Sequence, residues 1–134
     1  MPGPTAWQQT VINDVIGNQS ITTTSETVIA TLAGVNSRST NAQIKLLGTC
    51  TFAVSAATTS VTLKIRPDSI SGTALATTIV EAAAAATLTD AVGVIVAEDL
   101  FSGEYCNKTY VLTIAAAAAA ANWNVLNASL RLTQ

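Results

Sequence analysis

Ser60-Val61-Thr62-Leu63-Lys64-Ile65-Arg66 alternates apolar and polar residues without a break. Val61, Leu63 and Ile65 therefore share one face of an extended segment, and Thr62, Lys64 and Arg66 share the other. Strict period two in a stretch rich in β-branched residues is the pattern of a half-buried strand. Outward from it, Pro67-Asp68-Ser69-Ile70-Ser71-Gly72 reads as a turn and residues 73–80 as the returning strand. Upstream, residues 42–54 (AQIKLLGTCTFAV) make a long strand in which Gly48 reads as a bulge or bend. Downstream come Val92-Gly93-Val94-Ile95-Val96-Ala97, a short apolar strand, and residues 108–115 (KTYVLTIA), a strong one. Residues 122–132 make the last strand.

The N-terminal third follows the same habit. Residues 10–16 and 27–32 read as strands, ended at Gly17-Asn18 and at Gly34, with Ile21-Thr22-Thr23-Thr24 a short candidate between them. Residues 36–41 are a polar loop. Before these, residues 1–9 (MPGPTAWQQ) read as an extended arm, because Pro2 and Pro4 forbid a helix there and Trp7 is a large apolar anchor. Turn signals recur every ten to fifteen residues or so, and no linker divides the strands, which favours a sandwich or barrel. The expectation is an all-β chain with an arm at 1–9 and one antiparallel domain of about eight strands at 10–134.

Two alanine runs are ambiguous. Propensity favours helix for residues 82–86 and 115–121, yet helices this short are marginal in isolation. Both lie between β-type segments. The second reads as a strand end and hairpin tip, and the first leaves a single helical turn open.

Only 10% of the 134 residues are charged, against about a quarter in an ordinary soluble domain, and the formal net charge is −2. So neutral a surface does little to hold copies of the chain apart and suits a protein packed against neighbours. The basic residues Arg38, Lys45, Lys64, Arg66, Lys108 and Arg131 are scattered, which argues against a nucleic-acid partner. The longest mostly apolar stretch, residues 111–121, is about half a membrane span. The start has neither the basic nor the apolar region of a signal peptide, so cytoplasmic synthesis is expected. Cys50 and Cys106 then read as reduced, buried small hydrophobes, with a later bridge between them as the alternative. The sequons at Asn18, Asn107 and Asn127 read as chance matches.

The chain has no histidine, which removes Ser-His-Asp and Cys-His nucleophile machinery and zinc sites of Cys/His type. Adjacent Glu98 and Asp99 point to opposite faces of a strand and read as a solvated loop charge pair. Asp14, Asp90, Glu98 and Asp99 lack the loop spacing of a calcium site. Lys64 and Arg66 read as a solvated face or a contact with a neighbour's carboxylate, and Trp123 as a core residue. No catalytic, cofactor or metal residue is assigned, and an enzyme is not expected.

Residues 42–132 resemble the jelly-roll domains of tailed-phage virion proteins, of the capsid cement (decoration) or fibre-tip type. The resemblance is carried by the strand at 60–66, the Ser69-Ile70-Ser71-Gly72-Thr73 turn, Tyr110-Val111-Leu112-Thr113-Ile114 with its small-residue hairpin, and the closing Asn127-Ala128-Ser129-Leu130-Arg131-Leu132 strand. It implies a single jelly-roll-like β-sandwich and a homotrimer on a virion, bound to the major capsid protein, with no cofactor. The residues expected to touch the shell are Pro2, Pro4 and Trp7. A fibre or spike tip that binds a host-surface glycan through Trp123 and Asp90 is the alternative, and a small major capsid protein is a third reading.

Overall fold

The computed structural model describes residues 6–12, 15–21, 25–37, 43–54, 60–81, 89–100, 108–117 and 123–133. Those residues contain nine strands and no helix: β1 (Ala6–Ile12), β2 (Val15–Ile21), β3 (Thr27–Ser37), β4 (Gln43–Val54), β5 (Ser60–Pro67), β6 (Ala76–Glu81), β7 (Thr89–Leu100), β8 (Lys108–Ala116) and β9 (Trp123–Thr133). They form two antiparallel sheets. Sheet A has the order β1-β3-β8-β5-β6 and sheet B the order β2-β9-β4-β7.

The alternation seen in the sequence decides which side of each strand is covered. In β5, Val61, Leu63 and Ile65 are fully buried while Thr62, Lys64 and Arg66 lie on the outer side. Their cross-strand neighbours on β8, Ala116, Ile114 and Leu112, face the same core. From sheet B, Ile44, Leu46, Cys50 and Phe52 of β4 and Trp123, Val125, Ala128 and Leu130 of β9 meet them. Phe52 and Trp123 pack edge to face, with ring centroids 5.2 Å apart and planes at 81°. That geometry is the one ring quadrupoles favour.

Several expected breaks turn out to be irregularities inside longer strands. Gly17 and Asn18 lie within β2, whose register against β9 shifts between Ile16 and Gln19. The chain likewise does not end its strand at Gly34. There φ is 72°, and β3 continues to Ser37 with a register shift against β8 between Leu32 and Val35. A left-handed glycine serves a bulge as readily as a turn.

Gly48 is the converse case. Its pairing with β7 and β9 is regular, so it marks no bulge. It is a close approach instead: a Cβ there would stand 2.8 Å from Ile95 Cγ2 and 3.1 Å from Leu112 Cδ1. The irregularity in the β4–β9 ladder falls between Thr51 and Phe52, opposite Leu126. It switches the parity of β9, so that Trp123 and Val125 point inward on one side of it and Ala128 and Leu130 on the other.

The arm and the first strand overlap. The backbone of Ala6–Ile12 is β1, paired with β3 at the edge of sheet A, and Pro2 and Pro4 lie outside the described residues. Residues 82–88 and 118–122 also lie outside them, so the first alanine run is not described. Of the second, Ala115 and Ala116 end β8 and Ala117 follows in a bend.

Candidate functional site

The register of sheet B places its outward side chains in rows across β7, β4 and β9. Val92 stands beside Thr51 and Asn127, Val94 beside Thr49 and Ser129, and Val96 beside Leu47 and Arg131. Glu98 stands beside Lys45. Val92, Val94 and Val96 are 64%, 52% and 58% exposed, a stripe of three valines open to solvent on a terminal strand. Single exposed apolar residues are ordinary, whereas a contiguous stripe marks an interaction surface.

Next to the valines, Thr49, Thr51, Val92, Asn127, Ser129 and Arg131 border an open, shallow cleft of about 190 Å³. The Thr49 and Ser129 hydroxyls lie 2.8 Å apart, and Arg131 Nη2 donates to Ser129 Oγ at 3.0 Å. At the far end of the stripe, Gln43 Nε2 donates to Glu98 Oε2 at 3.2 Å.

The outer side of sheet A is built differently. Val111 and Thr113 of β8 point away from the core yet are buried. Arg66 stands opposite Val111, and against Thr113 lies Glu26, whose carboxylate accepts from Arg66 Nε at 2.6 Å, from Arg66 Nη2 at 3.0 Å and from Thr113 Oγ1 at 2.5 Å. The Arg66 guanidinium holds the Glu26 carboxyl below its ordinary range, against a smaller opposing push from burial. Glu26 in turn raises the Arg66 pKa. Arg66 is thus neither solvated nor available to a neighbour's carboxylate.

Glu98 and Asp99 do face opposite ways, but they sit in β7 and not in a loop. Asp99 turns toward sheet A, where it accepts from Lys108 Nζ at 2.9 Å, Tyr110 Oη at 2.8 Å and the Leu100 N–H at 2.9 Å. Burial alone would raise its pKa, and these three donors outweigh it, so the carboxyl sits below the usual range. Burial raises the Tyr110 phenol, and the same contact with Asp99 adds to it. Because β7 belongs to sheet B and β8 to sheet A, the network ties the two sheets together at one end.

Of the residues singled out in the sequence, Trp7 falls in β1 at a register irregularity between Ala6 and Gln8. Trp123 is completely buried, as expected of a core residue, which removes it as a stacking platform for a glycan. The side chain of Asp90 lies outside the described residues, as does Cys106. Cys50 is a buried free thiol, and burial pushes its pKa up to about 12. No group of three or more acidic, cysteine or histidine residues that could hold a metal occurs among the described residues.

The valine stripe is the part that sequence reasoning missed. Its signal was present, in a strand apolar at both parities. No family model matches the chain, and no curated protein matches it.

Proposed function

We propose that the protein is a non-enzymatic structural component of a virus particle, a jelly-roll cement (decoration) protein of tailed-phage type. The observation that carries this reading is the open valine stripe on sheet B in a chain with few charges to keep copies or neighbours away. Such a surface is built to be covered by protein. The strand order supports the finer fold assignment: leaving β1 aside, β2-β9-β4-β7 opposite β3-β8-β5-β6 is the interleaving of an eight-stranded double Greek key, with β1 added beside β3. Fold analogy alone carries little functional weight, and the open face is what raises it.

In this reading, copies of the chain, expected as a homotrimer, bridge major capsid subunits, and each contact stabilises the shell by favouring the assembled state. Pro2, Pro4 and Trp7 supply shell contacts from the N-terminal segment. Co-sedimentation with empty shells tests it: the protein should pellet with shells, and Trp7→Ala should lower its occupancy without altering the thermal melt of the free protein. Free protein that stays in the supernatant at all shell concentrations would overturn the proposal.

A further inference from the structure

The central part of β7 reads Ala91-Val92-Gly93-Val94-Ile95-Val96-Ala97, apolar at both parities. Antiparallel strands with one wet face alternate with polar residues, whereas near-continuous apolar runs belong to strands covered on both faces. Within the chain only one face is covered: Gly93, Ile95 and Ala97 are buried, while the valines between them are open. The strand is also terminal in its sheet, and this stretch contains no Lys or Pro, two residues that commonly keep an edge from pairing.

We infer that this face is covered by a second copy of the chain, related by a two-fold axis that runs along the strands between β4 and β7. This goes beyond the proposed function, since it needs no shell. Such an axis lays β7 of each copy across β4 of the other and keeps the rows in step. Val96 falls on Leu47, Val94 on Thr49 and Val92 on Thr51. In the next row Glu98 of each copy falls on Lys45 of the other.

That charged row selects a second copy as the occupant. Both residues are exposed, Glu98 is held by Gln43, and neither ion pair among the described residues involves Lys45. One acid and one base side by side are complementary to their own two-fold image, so the contact forms twice, as an isologous interface requires.

The overlap is that of a small interface. Across this axis β4 and β7, of 12 residues each, cover their counterparts, while β9 falls beyond the partner's terminal strand, giving a face of about 40 by 10 Å from about 3.4 Å per residue and 4.8 Å between strands. The relief of its side chains makes the accessible area larger than this projection, toward the low end of specific interfaces, below about 600 Å² per partner.

The test is the mass of the full chain in solution, by light scattering at matched concentrations, with no shell present. Wild type should have twice the mass of Val94→Asp, whatever the size of the smaller unit, and the two should share one circular-dichroism spectrum. Lys45→Glu and Glu98→Lys should each halve the mass on their own. An equimolar mixture of those two variants should recover it, because every charge row then again opposes its complement across the axis. Equal masses for wild type and Val94→Asp would overturn the inference, as would a mixture that stays at the single-variant mass. A chain that doubles in mass but ignores shells would sink the cement proposal and leave this one standing.

Discussion

The outer faces of the two sheets are made of similar residues and are treated in opposite ways. On sheet A, Val111 and Thr113 point outward yet are buried, with Arg66 opposite Val111 and its partner Glu26 bonded to Thr113, so the chain covers its own surface. On sheet B, Val92, Val94 and Val96 point outward with nothing among the described residues above them. The difference shows where a charge-poor chain spends its charges. A half-buried ion pair that also satisfies a buried hydroxyl closes one face, and the other is left with an open valine stripe among polar side chains. What looks like one repetitive β-sandwich therefore has a finished side and an unfinished one.

The same substitution on the two faces should give the widest separation. Val111→Asp buries a carboxylate on the outer side of sheet A, across from Arg66, whose guanidinium already pairs with Glu26. It should cost about 3 kcal/mol in urea unfolding, because Arg66 cannot fully pair with both this carboxylate and Glu26, and one charge is left buried without a partner. Next in size is Glu26→Ala, which leaves the Arg66 guanidinium half-buried without its carboxylate and the Thr113 hydroxyl with only the Lys64 carbonyl, 3.5 Å away. About 2 kcal/mol is expected, read as a lower urea midpoint at unchanged slope.

Acid should attack the same feature. Glu26 and Asp99 both titrate below their ordinary values in the folded protein, so each contributes stability at neutral pH. That contribution is lost as pH falls below about 5 toward the lowered folded-state values. The melting temperature should drop over that window, and the drop should shrink in a Glu26→Gln, Asp99→Asn double variant. A double variant with the wild-type acid profile would show that these carboxylates do not carry the linkage.

Tyr110→Phe should be milder, at about 1 kcal/mol, since Asp99 keeps Lys108 and the Leu100 N–H when the phenol is gone. Smallest of all should be Val94→Asp on the open face. Measured at a dilution where it and the wild type have equal mass, it should change stability by no more than about 0.5 kcal/mol. A loss near that of Val111→Asp would mean that the face of sheet B is covered after all, and would erase the contrast between the sheets.

The sequence made β5, β8 and β9 readable because each has one wet face or a clear apolar run, and periodicity reports such faces directly. It misread Gly17-Asn18 and Gly34 as ends. Turn-type residues serve a turn and a bulge alike, as the positive φ of Gly34 does inside β3, and only the partner strand distinguishes them. Gly48 failed for a related reason: what excludes a side chain there is Ile95 and Leu112, both remote in sequence. The ion pairs were illegible too, since Glu26 and Arg66 lie 40 residues apart. The valine stripe could have been found, because an antiparallel strand apolar at both parities announces a second cover. Periodicity does not say which parity the chain itself leaves open.

The last strand in chain order, β9, is an interior strand of sheet B, flanked by β2 and β4. During synthesis, then, the early strands of that sheet must wait for β9 to leave the ribosome before their ladders can close. Until then β2 and β4 each present a raw edge. Contacts spanning so much of the chain also make folding slow. A nascent chain of this design depends on β9 for protection from its neighbours, and deleting that one strand should yield aggregates instead of a smaller domain.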